Sequence, residues 1–215
     1  QEENSPFGAN ATFKQEAYTR FHQTSGTTGT PLNVFDTPES WEWWGRCWGY
    51  VFSGAGITEI DRLSVPFSFG PFIGFWAAVE GATKIKSLMI PGGGRDSLQR
   101  LQLMKELGAT AICCTPTYAL RLAEVAKDSN FDLREIPIRK LIHAGEPGAN
   151  VPATKARIED IWNAKCYDHA GASEIGAHSF ECEIQPKGMH IIESEFIVEV
   201  INPTTLMPVP IGELG

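Results

Sequence analysis

Ala109-Thr110-Ala111-Ile112-Cys113-Cys114-Thr115-Pro116-Thr117-Tyr118 is the stretch from which the architecture of this 215-residue chain can be read outward. Ala109–Cys114 is a short apolar run of strand length, consistent with a strand buried on both faces. Ahead of it, Ser97–Leu107 has helical spacing and stops at Gly108; behind it, Tyr118–Lys127 is helical again. The alternation continues with a strand at Arg139–His143, a helix at Thr154–Asn163 and a short strand at Lys165–Asp168. Strand–helix alternation of this kind predicts an α/β fold, a mostly parallel sheet flanked by helices. Nearer the start, Asp36-Thr37-Pro38 has the form of a helix start, and Trp41, Trp44, Trp48 and Val51 follow at three- and four-residue spacing. Such an aromatic stripe reads as core packing. Past Glu174, the runs Met189–Ile192 and Phe196–Ile201, with a turn at Asn202-Pro203-Thr204-Thr205, predict a β-rich C-terminal appendage. The expected division is an α/β core over 1–178 and the start of a β-rich subdomain over 179–215.

The composition narrows the function. An apolar share of 42% and a charged share of 20% are ordinary for a globular domain. A net charge of −8 without a basic cluster argues against nucleic acid as the partner. The apolar stretch Val65–Val79 is broken by Pro66, Gly70, Pro71 and Gly74 and is not a membrane span. Five cysteines with no CxxC spacing do not make a disulfide scaffold, and a cytoplasmic location is expected.

The chemistry concentrates in three loops. The first, His22-Gln23-Thr24-Ser25-Gly26-Thr27-Thr28-Gly29-Thr30-Pro31, packs hydroxyls and two glycines into a few residues after an extended run. Glycine lets several backbone N–H groups converge on one anion, and the hydroxyls add donors, so the loop suits phosphate; it lacks the lysine of a Walker A loop. As plain sequence it also fits a Ser/Thr/Gly-rich surface turn. The other two, His143–Ala149 and Tyr167–Glu174, follow strands and are expected at the carboxyl edge of the sheet, where α/β proteins collect ligands. Glu146 and Glu174 then bring carboxylates near the first loop, either as Mg²⁺ ligands or as solvated loop caps.

In this order the loops resemble those of adenylate-forming enzymes. Thr24–Pro31 resembles their phosphate loop, Gly145-Glu146-Pro147 their adenine-side loop, and Asp168-His169-Ala170-Gly171-Ala172-Ser173-Glu174 their aromatic-Gly-x-Thr-Glu motif. The Gly-Glu-Pro form and Cys114–Tyr118 most resemble the phenylacetate–CoA ligase branch, and the likeness runs from about Phe21 to Gly215. The resemblance implies part of the large N-terminal domain of an enzyme that joins a carboxylic acid to ATP as an acyl-adenylate and then passes the acyl group to coenzyme A. A non-catalytic adenine-nucleotide-binding module is the alternative.

It further implies that Thr24, Ser25, Gly26, Thr27, Thr28 and Gly29 hold the β- and γ-phosphates, with Thr28, Ser173 and Glu174 closest to the chemistry. Ser173 stands for the motif's threonine as an α-phosphate donor, and Glu174 binds Mg²⁺. Gly145, Glu146 and Pro147 flank the adenine, and Asp168, His169, Ala170 and Gly171 complete the nucleotide site. Ala170 replaces the stacking aromatic residue, for which His169 is a substitute. Phe67, Phe69, Gly70 and Phe72, with Ala144, are the candidate acid pocket, suited to an aryl or arylacetic acid; a buried helix start is the other reading of that region. The expected partners are ATP, coenzyme A and the acid, with no nucleic acid and no membrane, and homo-oligomerisation is left open. Relative to the family the opening portion, the ribose-binding aspartate motif and the C-terminal lid domain with its lysine lie outside these residues, so the chain alone is expected to be largely inactive. Separately, His178, Cys182 and His190, with Cys114 or Cys113 as a fourth, are candidate zinc ligands; a buried cysteine with two surface histidines is the alternative.

Overall fold

The computed structural model describes residues 11–26 and 29–215. Its centre is a seven-stranded sheet in the order β4-β3-β5-β6-β7-β8-β9. The parallel strands are β3 (Arg62–Val65), β4 (Leu88–Pro91), β5 (Ala111–Cys114), β6 (Lys140–His143) and the first half of β7 (Lys165–Ala172). Two antiparallel strands, β8 (Gly176–Phe180) and β9 (His190–Ile191), extend one edge. A separate antiparallel pair, β1 (Arg20–Gln23) and β2 (Asn33–Asp36), carries the loop between residues 24 and 32.

Helices cover both faces, because the parallel strands are apolar on both. Ala111, Cys113, Ile142 and Tyr167 pack with α1 (Pro38–Gly54) and α2 (Trp76–Lys84). Their alternating neighbours Ile112, Cys114, Leu141 and Cys166 pack on the opposite face with α3 (Ser97–Glu106), α4 (Pro116–Asp128) and α5 (Pro152–Trp162). The predicted α/β class is thus the observed one.

Local chemistry sets the helix starts. Thr37 accepts from Ser40 N at 3.1 Å ahead of Pro38, and the Trp41, Trp44, Trp48 and Val51 stripe is buried as expected. Asp96 and Gln99 form a reciprocal capping box on α3, and Thr115 caps α4 ahead of Pro116.

The region 62–91 contains β3, α2 and β4, none of which the sequence reading resolved. Its density of Phe, Gly and Pro masks a nine-residue helix whose buried side is only Ala77, Ala78, Gly81 and Ala82. Gly171 and neighbouring residues, read as a loop, are strand: β7 runs parallel to β6 up to Asp168, then pairs antiparallel with β8 from His169 on, with a bulge between Ala170 and Gly171. Beyond β9 regular strand is scarce among the described residues. Phe196–Ile201 has no ladder partner apart from an isolated Ile201–Pro208 bridge, backed by Val209 N to Val200 O at 3.1 Å. No helix among the described residues is long and apolar enough to cross a membrane.

Candidate functional site

Strands β5, β6 and β7 deliver Thr115, Ala144–Gly145 and residues 169–174 to one edge of the sheet, and the β1–β2 hairpin is fastened across it. Gln23 N donates to Pro71 O at 2.7 Å, tying the hairpin to the Phe-rich segment. Thr24 closes the loop twice, its N–H on Leu32 O at 3.0 Å and its hydroxyl oxygen accepting from Leu32 N at 2.9 Å. Gly26 turns the chain at φ +64°, where a Cβ would meet Pro31 Cγ at 2.6 Å, and Gly29 N donates to its carbonyl at 3.2 Å. Thr27 and Thr28 lie outside the described residues.

These segments enclose a cavity of about 510 Å³. The polar part of its lining is Gln23, Thr24, Ser25, Thr115, Gly145, Ser173 and Glu174. The apolar part of its lining is Trp44, Trp48, Phe67, Phe72, Ile73 and Phe75, with Ala144 and His169 also in the wall. A second cavity of about 420 Å³ shares Trp44, Ser173 and Glu174 with Asn33–Asp36, Ser40 and Trp43. Glu174 therefore stands at the junction of two hollows, an arrangement suited to a charged group reached from either side.

Several sequence candidates converge here and others do not. Thr24, Ser25, Gly145, Gly171, Ser173 and Glu174 share the cavity wall, as do Phe67, Phe72 and Ala144. Phe69 and Gly70 are engaged elsewhere: the Phe69 ring packs edge-on against Trp76 at 4.8 Å, and Gly70 O accepts from Trp76 Nε1 at 3.1 Å. Glu146 turns from the cavity to the start of α4, where its carboxylate accepts from Thr117 N at 2.7 Å and from the Thr117 hydroxyl. Pro147, exposed, is not in the wall. Asp168 lies below the wall: its N–H donates to Glu181 Oε2 at 3.0 Å, and Glu181 is ion-paired with Lys155. Burial raises the Asp168 carboxyl above the usual carboxylate range, while Lys155 and backbone donors hold Glu181 below it against the opposing effect of its own burial.

Strand alternation separates His169 and Gly171, which line the cavity, from Ala170, which does not. Ala170 itself contributes no ring. The rings present come instead from α1 and from the Phe-rich segment. Trp44 and Trp48 were legible only as core, and they are both core and wall; Phe75, also a wall residue, sits at the start of α2 and carries no sequence signal that sets it apart. His169 packs 4.5 Å from the Trp48 ring, and its Nδ1 donates to Ser179 O at 2.9 Å. Burial pushes its pKa down to about 4, so the ring is neutral near pH 7.

The zinc expectation needs correction. Cys182 Sγ and His190 Nε2 lie 3.1 Å apart, but His178 faces the Phe196 ring and Cys114 is 2% exposed inside the sheet. Strands β6 and β7 separate β5 from β8, a gap of about 14 Å at ordinary strand spacing. Metal–sulfur bonds of about 2.3 Å cannot bridge it. Among the described residues no group of three His, Cys, Asp or Glu side chains is placed to hold a metal ion.

No family model matches the chain. Among curated proteins it is 30% identical to the phenylacetate-coenzyme A ligase of Pseudomonas putida over 215 residues, 99% of this chain and 48% of that protein. It is 29% identical to the phenylacetate-coenzyme A ligase of Escherichia coli (strain K12), over 99% of this chain and 49% of that one. Among solved structures, 2-hydroxyisobutyryl-CoA ligase, in complex with 2-HIB-AMP and CoA in the thioesterification state, superposes with a TM-score of 0.91 and 30% identity, covering 99% of this chain and 46% of that one. The Brucella canis acyl-CoA synthetase, at 20% identity and a TM-score of 0.69, covers 91% of this chain and 36% of its own and shares the fold. The chain spans about half the length of the curated relatives it matches.

Proposed function

Because this chain is a homologue of the phenylacetate–coenzyme A ligases, with adenylate-forming CoA ligases as its structural neighbours, we propose that its cavity binds ATP and an aromatic carboxylic acid for acyl-adenylate formation. The acid's carboxylate oxygen attacks the α-phosphorus, the bond to the β-phosphate oxygen breaks, and pyrophosphate leaves. In the second step the thiol of coenzyme A attacks the acyl carbon and AMP leaves. The acid supplies the nucleophile, so the protein's task is positioning and charge stabilisation.

The observation that carries this reading is the mixed polar and aromatic lining of the cavity. Thr24, Ser25 and Glu174 share the wall of one hollow with Phe67, Phe72 and Phe75, at the carboxyl edge of parallel strands. In this proposal residues 24–29, including Thr27 and Thr28, hold the β- and γ-phosphates, Ser173 donates to the α-phosphate, and Gly145 flanks the adenine. Glu146 supports that loop indirectly, by bracing it against α4, and Pro147 follows in the same turn. Residues 179–215 begin the β-rich subdomain. A single carboxylate among phosphate-binding hydroxyls fits Mg²⁺, which draws most of its ligands from phosphate and water, and Glu174 would hold it. Bound there, Mg²⁺ neutralises phosphate charge.

Calorimetry on the 215-residue chain with Mg·ATP and with AMP tests the assignment. Both nucleotides bind, and Glu174→Gln weakens Mg·ATP at least tenfold while changing AMP by less than threefold. A folded chain that binds neither nucleotide sinks the proposal.

A further inference from the structure

Among the rings in the cavity wall one is able to accept a hydrogen bond. Phenylalanines 67, 72 and 75 offer no polar atom, and tryptophans 44 and 48 carry only N–H donors. His169 is different, and its proton is located by the fold. A carbonyl oxygen can only accept, so the 2.9 Å contact with Ser179 O places the proton on Nδ1. The lone pair is then on Nε2. Among the described residues Nε2 has no hydrogen-bond partner, and it is not among the side-chain atoms both sealed from solvent and without a hydrogen bond, which are His22 Nδ1 and Asp36 Oδ2, 3.5 Å from one another. His169 is a wall residue of the cavity, so Nε2 is the polar atom its ring has left for a bound group.

We propose that His169 is a specificity-determining residue, an acceptor fixed in one tautomer that selects aromatic acids bearing a hydroxyl or amino donor on the ring. The inference rests on the reading of the aromatic lining as the acid pocket. The ring cannot turn over to present a donor without breaking the bond to Ser179 O, and Trp48 packs 4.5 Å away against it. Burial holds the imidazole neutral near pH 7, with a pKa of about 4, so the lone pair is available over the whole neutral range. An acid without a ring donor strips Nε2 of water and gives nothing in return, which is the costly side of hydrogen-bond recognition. The expected preference for a well-placed ring donor is about three- to tenfold in affinity.

The test is a set of fluorescence titrations of the 215-residue chain in saturating AMP, with Trp44 and Trp48 in the cavity wall as reporters. The ligands are phenylacetate and its 2-, 3- and 4-hydroxy derivatives. At least one hydroxylated isomer binds three- to tenfold more tightly than phenylacetate. In His169→Asn, whose amide still reaches Ser179 O but lacks the second nitrogen, that ratio collapses to about one whatever the absolute affinities. A second measurement needs no variant: in histidine-¹⁵N-labelled chain, the preferred acid shifts the Nε2 resonance of His169 and phenylacetate does not. If no isomer is preferred, or if His169→Asn keeps the preference, the inference falls and the acid-pocket reading stands. If no acid binds, both fall together.

Discussion

The same glycine-to-alanine change should have opposite signs at Gly49 and Gly81, and the difference tests how α1 and α2 build the cavity wall. Both glycines lie inside helices, where alanine is favoured by about 0.5–1 kcal/mol through backbone entropy. At Gly49 a Cβ finds nothing within 4 Å, so Gly49→Ala should gain that full amount. At Gly81 the added Cβ runs into Trp48 Cβ and lies 3.0 Å from its backbone carbon and 3.2 Å from its Cα. Carbon contacts relax at about 3.5–4.0 Å, and a neighbouring backbone cannot rotate away. The two helices must separate, at an overpacking cost of about 1–3 kcal/mol. After the propensity gain, Gly81→Ala should lose roughly 1–2 kcal/mol. The variants then differ by about 2–3 kcal/mol, equivalent to about 1 M in the urea midpoint. Urea melts of the two variants and the parent, followed by far-ultraviolet circular dichroism, measure this directly. Gly81→Ala unfolding at or above the parent midpoint would refute the claim that α2 rests on the Trp48 backbone.

Three further outcomes are expected. Below pH 6.5 the unfolded chain takes up protons on His143 and His169, whose folded pKa values burial pushes down to about 4. Stability from this pair is complete above pH 6.5 and declines towards pH 4; each costs about 1 kcal/mol by pH 5.5, and equal urea midpoints at pH 7.5 and 5.5 would contradict it. Of the five cysteines, Cys47, Cys113, Cys114 and Cys166 are buried and Cys182 is partly exposed, so a thiol reagent should label one equivalent in the native chain and five in denaturant. Cys182→Ser should abolish the fast equivalent; labelling of two or more native thiols would show the core opening. Glu146→Ala should cost about 1 kcal/mol by uncapping α4 and change Mg·ATP affinity less than twofold, whereas a tenfold affinity loss at unchanged stability would make Glu146 a direct nucleotide ligand.

The α/β class was legible because strands such as β5 and β6 are short apolar runs and the intervening helices carry their own caps, both properties of neighbours in sequence. Order in the chain also sufficed for the three loops, since each follows an extended segment. What sequence could not supply was the direction of individual side chains after folding. Glu146 looked equivalent to Glu174 as a loop carboxylate, yet Thr117, twenty-nine residues away, claims it for the start of α4. Ala170 and His169 are adjacent, but the pleat of β7 gives only His169 to the cavity. Among the candidate zinc ligands Cys182 and His190 do meet, but Cys114 on β5 is held away from them by two intervening strands, a separation that strand order sets and the sequence does not display. Trp44 and Trp48 illustrate the division most directly. Their helical spacing declared one buried face of α1. That this face also forms part of the wall of a cavity follows from where β7 and the Phe67–Phe75 segment come to rest against it, and only tertiary packing decides that.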